Sequence, residues 1–261
     1  MTLIDLSKLP GISLEALNER ASLMHRVDRK YVVTQQQFVS WLNSQPALEV
    51  LEIDGRRAHH YASTYLDTPQ QANYRAAAHK RRRRFKVRTR TYLDSGERFI
   101  EVKVRDSRGQ TTKVRTLLAD TSTALDQGER DYVAHVLSCE GVSAAQVAEL
   151  QPMVTTSFTR NTLYSSMTGA RITVDTELSF SIPGQPAILF PDIIVLETKS
   201  GSQDRTLDRA LWRLGVRPEK VSKFAIGTSL LNPELPNNKW HRIIQRHFST
   251  HASAASVATA N

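Results

Sequence analysis

KRRRRFKVRTRTY, residues 80–92, decides how the rest of the chain is read. Eight of its thirteen residues are Lys or Arg. Taken as a tail it is a solvated polybasic arm; taken as structure it is part of a sheet. Side chains of a β-strand alternate between two faces. From Arg84 onward that rule puts Arg84, Lys86, Arg88, Arg90 and Tyr92 on one face, and Phe85, Val87, Thr89 and Thr91 on the other. A disordered basic arm has no reason to alternate. The run therefore divides into Lys80–Arg83, a solvated lead-in with no catalytic role, and Arg84–Tyr92, a strand.

The same alternation recurs along the chain. Glu101, Lys103 and Arg105 share a face opposite Ile100, Val102 and Val104. Lys113 and Arg115 flank Val114, and Arg171, Thr173, Asp175 and Glu177 oppose Ile172, Val174 and Leu178. Glu197 and Lys199 oppose Leu196 and Thr198, and Arg26, Asp28 and Lys30 oppose Val27, Arg29 and Tyr31. Asp94-Ser95-Gly96 and Ser107-Arg108-Gly109 are hairpin signals joining strands at Arg84–Tyr92, Arg98–Arg105 and Thr111–Leu117. Further strands are expected at His25–Val33, Ala58–Leu66, Pro152–Tyr164, Arg171–Ser179 and Ala187–Ser200. Helices are expected at Ser13–Leu23, after an N-cap at Thr34, after Pro69, and at Ala124–Leu137, Ser143–Leu150, Arg205–Leu214 and Phe224–Leu231. The sum is an α+β fold with antiparallel strands and helices set outside them.

With 261 residues, 40% of them hydrophobic, the chain can bury a sizeable core. A formal charge of +9 points to a polyanionic partner: nucleic acid, an anionic membrane surface or phosphate-rich small molecules. The single cysteine, Cys139, excludes an intrachain disulfide and reads as a buried core thiol. The N-terminus does not read as a signal peptide, and no window approaches the roughly 18 apolar residues of a membrane-spanning helix. The histidines lack metal-ligand spacing. Tyr65, Tyr74 and Tyr92 read as packing residues, and KWHRIIQRHF, residues 239–248, reads as an exposed amphipathic helix before a disordered Ala/Ser-rich tail.

An ordinary sheet, polar face to water, accounts for any one of these strands. It accounts less well for polar faces made almost wholly of charged residues, because like charges opposite each other across strands destabilise a sheet. Closing the sheet answers this: apolar faces point outward under helices, charged faces line a lumen, and exposed edges vanish. A lumen rich in Arg and Lys then demands an anion such as a linear polyphosphate or a nucleoside triphosphate. The few carboxylates suit a divalent cation bridging phosphate oxygens.

These residues resemble the VTC (vacuolar transporter chaperone) polyphosphate polymerase domain, within the triphosphate tunnel metalloenzyme superfamily that includes the CYTH proteins. The segments that carry the resemblance are RVDRKYVV (26–33), STYLDT (63–68), RFKVRTRTY (84–92), FIEVKVR (99–105), TKVR (112–115), FTRNTLY (158–164), RITVDTELSF (171–180), VLETKS (195–200) and KVSKF (220–224), in this order. The resemblance implies a closed eight-stranded antiparallel barrel over residues 1–231, followed by a C-terminal helix and tail at 232–261. It implies catalytic roles for Arg88, Arg90, Lys103, Arg160 and Arg171, and phosphate contacts for Arg26, Lys30, Lys86, Lys113, Lys199, Lys220 and Lys223. Glu197 would be the main ligand of Mn²⁺ or Mg²⁺, with Asp175 and Glu101 as helpers, although a lumenal ion pair with an arginine is the favoured reading of Glu101 and suits Asp175 equally. Where related tunnel hydrolases carry ExExK, this chain has Arg26, Asp28 and Lys30, which favours the polyphosphate-making branch and weakens any second metal.

The implied activity moves the γ-phosphoryl group of ATP onto inorganic polyphosphate, in the cytoplasm, with a separate membrane protein as partner if the product is exported. Two alternatives stay open: a phosphohydrolase of tripolyphosphate or nucleoside triphosphates, and a non-catalytic binder of polyphosphate or nucleic acid, of which nucleic acid is the less favoured ligand.

Overall fold

The computed structural model describes residues 5–21, 26–119, 122, 124–249 and 253–254. Along the chain the elements are β1 (Gly11–Ile12), α1 (Leu14–Arg20), β2 (Arg26–Val33), α2 (Gln35–Asn43), β3 (Leu48–Leu51), β4 (His59–Asp67), α3 (Ala72–Ala78), β5 (Arg84–Tyr92), β6 (Arg98–Arg105), β7 (Thr111–Leu117), α4 (Gln127–Cys139), β8 (Gln151–Ser165), β9 (Ala170–Ser181), β10 (Ile188–Phe190), β11 (Ile194–Gly201), α5 (Thr206–Arg213), α6 (Lys223–Leu231), α7 (His241–His247) and β12 (Ser253–Ala254). A single 3₁₀ turn spans Val147–Glu149. The chain is α+β, and its strands pair antiparallel except β1 with β3. No helix among the described residues is long and apolar enough to cross a membrane.

The residues divide into two compact units. The first comprises residues 1–60, 158–178 and 190–221. Here β11 lies between β2 and β9, with Glu197 opposite both Lys30 and Thr173. One face of these strands carries Tyr31, Val33, Ile172, Val174 and Leu196, which pack with Phe38 and Trp41 of α2 and Leu207 and Leu211 of α5. Thr34 caps α2 reciprocally with Gln37, as its sequence position predicts. Arg29 belongs to this apolar face by parity, and Asp208 of α5 meets it there. The Asp208 carboxylate, 1% exposed, accepts from Arg29 Nη1 at 2.9 Å, Tyr31 Oη at 2.7 Å and Thr198 Oγ1 at 2.7 Å. It thereby ties α5 to both strands that carry Lys30 and Glu197.

The second unit comprises residues 61–157, 179–189 and 222–261. Its sheet runs β4–β5–β6–β7. Phe85, Val87, Ile100, Val102 and Val104 form one face and pack against Val133, Val136 and Leu137 of α4. The parity read from residues 84–92 is the observed one: Phe85, Val87 and Thr89 are buried against the core, and the basic residues take the opposite face. The buried Asp67 carboxylate accepts the backbone N–H groups of Thr68, Asn73 and Tyr74 at 2.8–2.9 Å, which fixes the entry to α3. Gly227 of α6 stands where a Cβ would lie 2.5 Å from the Phe180 ring, so the close approach requires glycine.

Several expectations are corrected. Cys139 is exposed, at the end of α4, with Sγ 3.6 Å from His135 Nε2. Residues 143–150 form only the 3₁₀ turn, since the apolar Val147 and Leu150 join the α4 core without a helix-long stripe. Pro69 lies in the turn before α3 rather than at its first helical position. The helix at 241–247 is packed by its apolar side: Trp240, Ile243, Ile244 and Phe248 are all buried, with Trp240 against Tyr74 and Phe248 against Phe180. The expected tail, residues 251–261, lies outside the described residues apart from β12.

Replacing Asp208 with Ala strands a largely buried arginine and two buried hydroxyls. The expected loss is about 3 kcal/mol of stability, read as a lower urea midpoint, with Asp208→Asn losing less. An unchanged midpoint in the alanine variant would show that this carboxylate does not hold α5 to the sheet.

Candidate functional site

The charged face of the second unit is built by register. Cross-strand pairing places Tyr65, Arg88, Glu101 and Arg115 in one row, and Lys86, Lys103 and Lys113 in the next. Glu101, 2% exposed, is the carboxylate on which the cations converge. Arg88 Nε donates to its Oε2 at 2.8 Å, Lys113 Nζ lies 3.0 Å from the same oxygen, and Arg90 Nη1 is 3.9 Å from Oε1. Burial alone would raise the Glu101 carboxyl, but Arg88, Arg90 and Lys113 outweigh it and hold it at about 2. Arg88 Nη1 also donates to Tyr65 Oη at 2.9 Å, and Arg90 Nε to Ser63 Oγ at 3.2 Å. These contacts fix both guanidinium planes, which is the condition for presenting a rigid pair of donor forks to phosphate.

One row further on, the ladder carries three lysines. Lys86 Nζ donates to Ser222 Oγ at 3.1 Å, sits 5.0 Å over the Phe224 ring, and has Lys103 directly across the ladder. Burial first, then Lys103, Lys239, Arg84 and Arg88, push the Lys86 ammonium down to about 7. Burial likewise lowers Lys113, to about 8, although Glu101 opposes the shift. Lys223 is the first residue of α6, whose N-cap is the same Ser222. A bound anion would relieve the repulsion among these neighbouring cations.

In the first unit, Glu197 is paired with Lys30 and, at 3.3 Å, with Lys199, whose ammonium is 3.9 Å from Asp28. Burial would raise the Glu197 carboxyl; Lys30, Lys199 and Arg160 bring it down to about 2. Asp175 is closed by a bidentate pair with Arg160, at 2.6 and 2.8 Å. Arg171 lies on the same face by register, opposite Lys199. Lys220 is exposed and follows Glu219, whose N–H donates to the Lys30 carbonyl at 2.7 Å. The Arg26 backbone belongs to β2, while its side chain lies outside the described residues.

For a divalent cation the fit is restricted. Among the described residues no three His, Cys, Asp or Glu converge. Asp175 and Glu101 serve as counter-ions to arginines. Glu197 remains, and directly across from it Thr173 buries a hydroxyl with no hydrogen-bond partner. That set suits a hard cation held by one protein carboxylate and otherwise by phosphate oxygens and water, as Mg²⁺ is commonly held.

Sequence reading missed Ser63, Tyr65 and Ser222 as partners of the charged residues. Two of the three carried a signal: Ser63 and Tyr65 alternate on the strand that register sets against Arg90 and Arg88. Ser222 stands in a loop, where no periodicity marks it.

The VTC domain model matches residues 25–232. No curated protein matches the chain at a significant level. Among solved structures, the chain is similar to an adenylyl cyclase candidate from Hippeastrum for which a dominant triphosphatase activity is described, with 14% identity, a TM-score of 0.49, and coverage of 82% of this chain and 99% of that one. It is also similar to an adenylate cyclase candidate from Bacillus halodurans, with 16% identity, a TM-score of 0.48, and coverage of 86% and 98%. A third, from Vibrio parahaemolyticus, shows 16% identity, a TM-score of 0.41, and coverage of 76% and 94%.

Lys86 makes the charged face pH-sensitive. In the unfolded chain a lysine keeps its proton to a pH of about 10.4, whereas the folded one loses it at about 7. Between these values the unfolded chain binds more protons, so stability rises with pH; below the lower value the whole penalty is present. Lys86→Met should therefore raise the melting temperature at pH 6 and do so progressively less by pH 9. A gain independent of pH would overturn the assignment.

Proposed function

Because the chain belongs to the VTC domain family, we propose that it is a metal-dependent phosphotransferase that lengthens inorganic polyphosphate from ATP. One observation supports this most: a four-stranded sheet face presents Lys86, Arg88, Arg90, Lys103 and Lys113 around a single buried carboxylate, Glu101. Such a face matches a compact string of phosphates better than a neutral substrate. The finer architecture, an eight-stranded barrel closed around the substrate, belongs to the same proposal.

In the reaction, a terminal oxygen of the polyphosphate chain attacks the γ-phosphorus of ATP. The bond between that phosphorus and the β,γ-bridging oxygen breaks, ADP leaves, and the chain gains one phosphate. No protein nucleophile is needed, since positioning and charge stabilisation carry most of this chemistry. Arg88 and Arg90, held by Glu101, Tyr65 and Ser63, would grip the transferring phosphoryl and take up charge as it develops. Arg160 and Arg171 would do the same on their own strands, with Lys30, Lys113, Lys199, Lys220 and Lys223 adding charge along the phosphate path. Glu197 would hold Mn²⁺ or Mg²⁺, which when bound would supply positive charge to offset that of the phosphates. The reaction would take place in the cytoplasm, and a separate membrane protein would carry any exported product.

Pure protein incubated with ATP and Mn²⁺, with products separated on a polyphosphate-stained gel, tests the reading. A ladder is expected; orthophosphate alone would identify a hydrolase, and binding without turnover a non-catalytic protein. The paired change Arg88→Ala with Arg90→Ala should lower the rate at least ~100-fold and keep the circular-dichroism spectrum. Survival of activity would remove these residues from the site.

A further inference from the structure

The charged face of the second unit is not uniform along its strands. Toward Lys86 it carries a row of three lysines, with Arg84 opposite Arg105 beyond them, and in the middle arginines gather around Glu101. At its other end, next to the turn that joins β5 to β6, it becomes aromatic. Register places Tyr61 opposite Tyr92, and Arg90 opposite Phe99, so these residues share one face with Arg88 and Glu101. The Tyr61 and Tyr92 ring centroids are 5.0 Å apart, and Tyr92 meets Phe99 edge-on at 5.6 Å. Arg115 lies 4.8 Å over the Phe99 ring and donates to Tyr92 Oη at 3.1 Å, while Arg90 lies 5.5 Å over Tyr61.

Tyr65, on the same face, is buried against Phe224, but the three rings next to the turn need another reason. The apolar core of this sheet lies on its opposite side, against α4, where Val87, Ile100 and Val102 are fully buried. Tyr61, Tyr92 and Phe99 are only half-buried, and Leu117, opposite Phe99, is 59% exposed. An apolar patch left open beside convergent cations is the composition of a ligand site. A cluster of rings next to the turn, then the row of guanidinium groups on Glu101, then a row of ammonium groups, matches a nucleoside triphosphate: an aromatic base, a neutral sugar, then charged phosphates. Tyr92 and Arg88 are four residues apart on one strand, roughly 13 Å at the usual rise, which leaves room for the sugar between them.

We propose that Tyr61, Tyr92 and Phe99, with Arg115 over Phe99, form the nucleobase subsite of the triphosphate-binding face. The bound nucleotide then lies with its base toward the β5–β6 turn and its phosphates toward Lys86. Stacking on aromatic rings and on an arginine plane holds any base, so the subsite binds a nucleoside triphosphate as a class more tightly than a base-free triphosphate. This rests on the proposal that the face binds triphosphates, and the experiment separates the two.

Binding of a non-hydrolysable ATP analogue and of inorganic tripolyphosphate to the whole protein is measured by titration calorimetry. Wild type should prefer the analogue. Tyr92→Ala and Phe99→Leu should each weaken analogue binding by about 5- to 100-fold, the equivalent of one lost stacking contact, and leave tripolyphosphate within about twofold. Retained tripolyphosphate binding shows that the variant is folded, and Tyr92→Phe, which keeps the ring, should bind the analogue nearly as wild type does. Equal losses for both ligands would make the rings structural, and no loss for either would place the base elsewhere; each result overturns the inference. Wild type that binds tripolyphosphate as tightly as the analogue overturns the subsite alone, and wild type that binds neither overturns the triphosphate reading with it.

Discussion

The ion cluster at Glu101 is what allows one face of a sheet to be made of arginine and lysine. Two like charges 4 Å apart repel by about 4 kcal/mol in the partly screened surroundings of a protein surface. A strand with a basic residue at every second position, facing another of the same kind, would not pair on those terms. Glu101 relieves the repulsion where it is worst, taking Arg88, Arg90 and Lys113 onto one buried carboxylate. It also leaves the guanidinium groups charged and immobile. One row away, burial first and then the neighbouring cations depress the Lys86 ammonium.

The first unit solves the same problem with the signs nearer balance. Glu197 answers Lys30 and Lys199, and Asp175 answers Arg160. Behind the same strands, Asp208 takes Arg29, the one basic residue that parity sends to the apolar side. Charge on the wrong face is thus made harmless by a single buried acceptor that also binds Tyr31 and Thr198. The strands keep their register because both of their faces are specified: a shift by one residue would drive Lys30 and Glu197 into the core and Tyr31 and Leu196 out of it.

How much of this could be read in the sequence follows from the same physics. Period-two alternation is set by backbone geometry alone, so residues 84–92, 98–105 and 26–33 disclosed both their strands and their charged faces. The hairpin turns followed from Asp94-Ser95-Gly96 and Ser107-Arg108-Gly109. Partners brought by tertiary packing were not legible. Asp208 lies on a helix 177 residues from Tyr31, and nothing local marks it as the buried acceptor of that hydroxyl. Ser222 caps a helix and meets Lys86 across 136 residues. The β3 segment, Leu48–Leu51, is too short for alternation to be read. Cys139 and the helix at 241–247 failed in opposite directions, because burial of a short apolar pattern depends on what folds over it.

Tyr92 shows what register adds to composition. By sequence it is the last residue of a basic strand and reads as packing. Register sets it against Tyr61 and beside Phe99, on the face of Arg88 and Arg90 rather than on the face of Val87. A ring in that position lies outside the α4 core, which is on the other side of the sheet. The strand that begins at Arg84 therefore runs from Arg84 and Lys86, through cations fixed on Glu101, to aromatic rings. Such an order gives the face two distinguishable ends, and a polyanion lying on it has one favoured direction, set by whichever of its ends can stack.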